Sequence, residues 1–192
     1  MQNSNNSLYL SNKKIINIKS EILFREAEDD FYYFGNLNSA LKKLNMSIEL
    51  TPTHTKSCVL CADAYYIKGN YKKALENYKK ALETSQKNAK ILGSIASCYF
   101  SLKEYHRTIK FINKALNEIK EDEFSLFEQL LELKINTYLE LKEYEKAIEM
   151  YDEVNAIAQK TSYKQIYASN FELLNEKLKK QQKVKELGLK IV

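Results

Sequence analysis

The sequence predicts an all-α protein built as a stack of antiparallel helix pairs. Three observations carry that prediction. Apolar residues recur at helical spacing through most of the chain, and strict two-residue alternation is hard to find. One proline and four glycines in 192 residues leave little room for sheet or long loops. A single helix–turn–helix unit, centred on the run from Tyr65 to Leu75, returns in register along the chain.

That unit explains itself locally. Gly69 and Asn70 accept a tight or left-handed backbone. Upstream, Cys58, Cys61, Ala62 and Tyr65 form one apolar stripe; downstream, Tyr71, Ala74, Leu75, Tyr78, Ala81 and Leu82 form another. Two short helices joined by so short a turn lie antiparallel. Ala62 and Ala74 let their backbones approach closely, and the aromatics fill the space around them.

A shift of roughly 34 residues reproduces the unit in both directions. Tyr65 maps to Phe31 and Tyr99, Gly69 to Gly35 and Lys103, Tyr71 to Leu37 and Tyr105, and Ala74 to Ala40 and Thr108. A further copy, after a short extra stretch, has Tyr138, Tyr144, Ala147, Tyr151 and Val154 at the matching places. The first copy is degenerate, because Glu28 stands where a small residue is expected, although Pro52 falls at the closing position. This period with these residue types resembles the tetratricopeptide repeat family, over roughly residues 21–161. The resemblance implies a right-handed α–α superhelix of about four helix pairs with a C-terminal capping helix.

Taken in order, residues 1–20 read as a flexible segment rich in Asn and Ser, in which Ile15, Ile16 and Ile18 begin a helix or a cap. The repeats follow at 21–54, 55–88, 89–122 and 123–161, the last opening near the acidic Glu121 and Asp122. Residues 162–192 have the period of one long helix (Ile166, Tyr167, Phe171, Leu174, Leu178) and suit the polar-faced cover that ends a solenoid.

Composition narrows the function classes. The net charge of +5 is almost entirely lysine, with Arg25 and Arg107 the only arginines. Arginine is the side chain suited to bidentate phosphate and guanine contacts, so its scarcity argues against nucleic-acid readout. Cys58, Cys61 and Cys98 are an odd number and do not suit a disulfide framework. No signal segment and no membrane-length apolar run is seen, so a cytoplasmic location is expected. His54, Cys58 and Cys61 share one helical face, but the two cysteines fall at packing positions and no fourth ligand is apparent. No nucleophile motif or glycine-rich phosphate loop occurs. The expectation is a non-enzymatic protein with no metal and no cofactor.

The resemblance implies where a partner would lie. In that family the first helix of each pair lines a concave groove that takes extended or helical peptides. Carried over by position, the candidate groove residues are Arg25, Asp29 and Tyr32; Lys56, Val59, Asp63 and Tyr66; Lys90, Ser97 and Phe100; and Asn136 and Leu139. Tyr32, Tyr66 and Phe100 form an aromatic row, which reads equally as partner contact and as packing between repeats. Co-chaperones of the family grip a C-terminal carboxylate with lysines, asparagines and an arginine. Of the matching positions here only Lys90 agrees, with Arg25 a partial substitute, and Asp29 or Asp63 would repel a carboxylate. That clamp is rejected. The function expected is a scaffold or adaptor that binds a partner protein or peptide. The alternatives are self-association as a homo-oligomer, or RNA or anionic-surface binding through the convex pairs Lys42 and Lys43, Lys72 and Lys73, and Lys79 and Lys80, diluted by Glu76 and Glu83.

Overall fold

The computed structural model of the chain describes residues 2–85, 88–120 and 122–150, together with 176 and 179. Every regular element among the described residues is a helix: α1 (Gln2–Tyr32), α2 (Leu37–Leu50), α3 (Thr55–Ile67), α4 (Tyr71–Thr84), α5 (Ala89–Ser101), α6 (Tyr105–Asn117) and α7 (Phe124–Glu140). Residues 144–150 are helical as well. The all-α helix-pair architecture is therefore the one the periodicity predicts.

The ends of the helices follow from their sequence. Asn36, Asn70 and Asn88 each accept, through Oδ1, the N–H of the residue three places on, at 3.1, 3.2 and 3.0 Å, and so cap α2, α4 and α5. His54 caps α3 with its Nδ1, 3.3 Å from the Ser57 N–H. The turns within pairs contain a left-handed residue at repeating positions: Gly35, Gly69, Lys103 and Lys142, with φ of 62°, 72°, 60° and 60°. In the second and third pairs the next N–H closes the turn onto a carbonyl five residues back, Asn70 to Tyr65 at 2.8 Å and Glu104 to Tyr99 at 2.9 Å. The first turn is wider by one residue, with Asn36 N–H on the Asp30 carbonyl at 2.7 Å. It lies in the copy whose sequence is least regular.

Two sequence expectations change. The helix expected from about residue 21 is continuous from Gln2, in place of a flexible segment over 1–20. Neither glycine nor proline interrupts residues 2–34, and each added residue extends an existing helix at little cost. α7 begins at Phe124, later than Glu121 or Asp122, and the Glu123 carboxylate instead accepts the Lys120 N–H at 3.1 Å. The capping helix expected over 162–192 lies outside the described residues, apart from 176 and 179, which are helical.

The chain divides into two compact units, Met1–Leu126 and Phe127–Val192. In the first, α1 packs on α2, α3 on α4 and α5 on α6, while α2 meets α3 and α4 meets α5. One core joins Phe24, Ala27, Ala40, Leu41, Leu44, Leu60, Cys61 and Ala64. The other joins Cys58, Ala62, Ala74, Tyr78, Ala81, Ile91, Ile95, Cys98 and Tyr99. Ala62 and Ala74 are fully buried together in this second core. In the second unit, Leu130, Leu131, Ile135 and Ala147 are buried.

A polar chain runs through the first unit where α1, α2 and α3 meet. Ser20, Ser47 and Ser57 are all fully buried. The Oγ atoms of Ser20 and Ser47 are 2.8 Å apart, and those of Ser47 and Ser57 are 2.7 Å apart. Ser57 Oγ then meets His54 Nδ1 at 2.6 Å, and His54 Nε2 meets Glu21 Oε2 at 3.0 Å. Each buried hydroxyl is satisfied, which burial in an apolar surrounding demands.

Candidate partner-binding groove

The first helix of each pair supplies the candidate residues. On α1, Arg25, Asp29 and Tyr32 are exposed. On α3, Lys56 is exposed while Val59, Asp63 and Tyr66 are half-buried. On α5, Lys90 is exposed, and Ser97 and Phe100 are half-buried. Asn136 and Leu139 lie on α7 in the second unit, both half-buried.

The aromatic row is not uniform. The Tyr66 ring stands edge-on to Tyr71 at 5.2 Å, and its hydroxyl lies 3.4 Å from Ser101 Oγ on α5. Phe100 repeats the arrangement against Tyr105 at 5.7 Å. Both rings brace the turn of their own helix pair, so truncating them removes scaffold contacts as well as surface. Tyr32 has no such second-helix aromatic, because Leu37 stands where Tyr71 and Tyr105 do. It leans on its neighbour Phe31 at 4.8 Å and remains 65% exposed.

The charged residues divide into engaged and unengaged groups. The Arg25 guanidinium is held by Glu21 at 3.0 Å and Glu28 at 3.2 Å. Lys56 Nζ sits 5.9 Å from the centre of the Phe24 ring. Asp63 accepts a short hydrogen bond from the Tyr78 hydroxyl on α4. Burial pushes the Asp63 carboxyl above its ordinary range, offset in part by that hydrogen bond and by the charge of Lys90. Partial burial also raises the Tyr32 phenol, and the negative charges of Asp63 and Glu28 raise it further.

The lysines of the second helices are partly engaged. Lys43 reaches Asp30 at 2.9 Å and Glu26 at 3.6 Å. Lys73 lies over the Tyr65 ring and Lys79 over the Tyr99 ring, at 5.2 and 5.7 Å.

The thiols are packing residues. Cys58, Cys61 and Cys98 are free and buried. Burial pushes the Cys61 and Cys98 thiols up to about 12, which leaves no nucleophilic thiolate near neutral pH. Among the described residues no three His, Cys, Asp or Glu side chains are grouped to hold a metal.

Sequence reasoning missed two features. Tyr78 was readable only as a packing aromatic, yet its buried hydroxyl needs an acceptor and finds one in Asp63. An open cleft of about 610 Å³ between α1 and the loop before α3 is lined by Ile16, Glu21, Pro52 and His54, among others. Nothing in the repeat pattern signals it, because it depends on α1 continuing beyond the repeat.

Comparison with known proteins agrees with this architecture. The family described as anaphase-promoting complex, cyclosome, subunit 3 matches residues 68–154. No curated protein matches the chain. Among solved structures, a tetratricopeptide repeat protein from Parabacteroides merdae is 22% identical, with a TM-score of 0.66, over 83% of this chain and 61% of that one. The first such domain of Spaghetti (RPAP3), bound to the HSP90 peptide SRMEEVD, is 16% identical with a TM-score of 0.54, over 60% of this chain and 90% of that one. The Yersinia enterocolitica type III secretion chaperone SycD, in complex with a peptide of the translocator YopD, is 17% identical with a TM-score of 0.59, over 62% and 92%. At these identities the likeness establishes the fold.

Proposed function

We propose that this tetratricopeptide-repeat fold serves as a non-enzymatic scaffold that holds a partner protein or peptide along the first helices of its pairs. The observation that carries this is Tyr32, a large aromatic left 65% exposed one helical turn from the exposed Asp29, on a helix that buries Phe24 and Ala27 on another face. Two neighbours of the same fold are seen with peptides bound, which supports the same use here. The three unpaired thiols support a reducing compartment such as the cytoplasm.

The test is capture from native lysate by the wild-type chain and by Tyr32→Ala combined with Asp29→Ala. Both positions are exposed, so helix content and melting temperature should hold. A partner that is captured by wild type and lost by the variant supports the groove. Equal capture by both sinks it.

A second reading, self-association, is favoured by one feature. Ile15, Ile18 and Ile22 form a stripe on α1, and each is exposed in the single chain. Light scattering that gives the same monomer mass across a wide concentration range would dispose of that reading.

A further inference from the structure

The charges along α1 say what would cover its apolar stripe. This step rests on the self-association reading and deepens it. Ile15, Ile18 and Ile22 recur at the spacing of one helix face, and each is more than half exposed. Residues 10–19 are exposed throughout, so the first half of α1 extends past the packed body as an arm, with the open cleft beneath it. From Ser20 onward the helix is anchored, with Ser20, Phe24 and Ala27 buried. The charges divide at the same point. Before Ser20 stand Lys13, Lys14 and Lys19 and no acid; after it stand Glu21, Glu26, Glu28, Asp29 and Asp30, with Arg25 the single cation up to Tyr32. The lysines of the arm make no ion pair among the described residues. Cations do reach the acids: Arg25 lies between Glu21 and Glu28, Lys43 between Asp30 and Glu26, and the charge of Lys56 acts on Glu21. The acids still outnumber these cations, and Asp29 is exposed.

A helix with a basic first half and an acidic second half is complementary to its own copy run in the opposite direction. Two copies related by a two-fold axis level with Ser20 set Ile18 of each beside Ile22 of the other, and Lys14 of each beside Glu26 of the other. A parallel pair would set like charges together instead. The antiparallel arrangement also covers the isoleucines, whose burial supplies the attraction that exposed charges alone do not. We propose that two copies of this chain pair antiparallel along the exposed face of α1, the basic arm of each lying over the acidic half of the other. The stripe continues at helical spacing through the exposed Asp29 and Tyr32, so a paired copy and a groove partner would exclude one another on α1.

The experiment is light scattering on the full chain over a wide concentration range, for wild type and two charge-reversed variants. One carries Lys14→Glu with Lys19→Glu, the other Glu26→Lys with Asp29→Lys. All four positions are exposed, and circular dichroism checks that each variant keeps its helices. The expected wild-type mass rises to that of a dimer. Each variant alone should dimerise about tenfold more weakly, since attraction becomes repulsion on both sides of the axis. An equal mixture of the two should recover the wild-type midpoint, because an acidic arm then meets lysines and a basic arm meets acids. Ile18→Ser with Ile22→Ser should weaken dimerisation about a hundredfold with every charge in place, and decides the matter if a charge variant does not fold. Variants that all associate as wild type does would overturn the α1 pairing and leave self-association to another surface. Loss in both charge variants that mixing does not repair would overturn the antiparallel arrangement. Monomer mass at every concentration would overturn the inference and the self-association reading together, and leave the groove untouched.

Discussion

The two seams between neighbouring helix pairs in the first unit both hold apolar cores, and only the first adds a buried polar chain to its core. Where α2 meets α3, Leu44 shares an apolar core with Leu60, Cys61 and Ala64, and beside it the chain Ser20–Ser47–Ser57–His54–Glu21, buried at its three serines, ties α1, α2 and α3 together through side-chain hydrogen bonds. Where α4 meets α5, Tyr78, Ala81, Ile91, Ile95 and Cys98 share one apolar core, and the Tyr78–Asp63 bond borders it. Apolar packing is strong and non-directional, so the second seam draws its stability from filled volume. Hydrogen bonds are directional and expensive to leave unmade, so the first seam fixes one arrangement of three helices. One repeat pattern thus supports an apolar seam and a seam in which hydrogen bonds are added to apolar packing.

Substitutions at the two seams should separate these contributions. Ile95 is fully buried in the apolar seam, and Ile95→Ala should cost about 3 kcal/mol through lost transfer energy and the cavity left behind. Ser47 is the centre of the polar seam. Ser47→Ala removes the hydroxyl that both Ser20 and Ser57 contact, and should cost about 2 kcal/mol. Urea unfolding followed by circular dichroism measures both. A Ser47→Ala change no larger than that of a surface substitution would mean that the serine chain is incidental, and the contrast between seams would fall.

Acid sharpens the contrast, because the carboxylate at each seam is shifted in the opposite direction. The bond from His54 is the main cause that lowers Glu21 below its ordinary 4.5. Its stabilising contribution is present above 4.5 and is lost as pH falls through the lowered value. Burial raises Asp63 above its ordinary 3.8. Its ionisation therefore lowers stability, in a window that opens at 3.8 and closes at the raised value. Melting curves from pH 3 to pH 7 should show Asp63→Asn more stable than wild type at neutral pH, with the gain shrinking as pH falls toward 3.8. Glu21→Gln should be less stable at neutral pH, with the deficit shrinking below 4.5. The Glu21 effect is the smaller, because that side chain is 41% exposed and screened by solvent. Deviations of the same sign from the two variants would break the comparison.

The apolar seam was legible in the sequence and the polar one was not. Cys58, Ala62, Ala74, Tyr78 and Ala81 sit at the helical spacing that predicts a core, and they form one. Ser20, Ser47 and Ser57 carry no such signal, because serine is as common on surfaces and in caps as in buried networks. Their meeting depends on three helices converging. The candidate groove was legible as positions, since Asp29 and Asp63, or Tyr32 and Tyr66, recur one repeat apart. What each position does was not legible. Spacing is silent on whether a second-helix tyrosine covers the ring, as Tyr71 does for Tyr66, or whether a phenol holds the acid, as Tyr78 does for Asp63.

The turns carry the comparison between pairs to its smallest expected effect. Gly35 and Gly69 take the left-handed backbone in the first two pairs, while Lys103 takes it in the third, at φ of 60°. For a residue with a Cβ that conformation costs about 1 kcal/mol or more, and glycine recovers it less some chain entropy. Lys103→Gly should therefore stabilise by about 0.5–1 kcal/mol. The reverse exchange is well posed at Gly69, since a Cβ built there meets nothing within 4 Å. Gly69→Lys should thus lose a similar amount by conformation alone, with no steric contribution. Paired urea midpoints for the two variants should move in opposite directions by similar amounts. If both fall, then the Lys103 side chain contributes contacts that outweigh its backbone strain. The third turn would then be held by its side chain, where the first two rely on the absence of one.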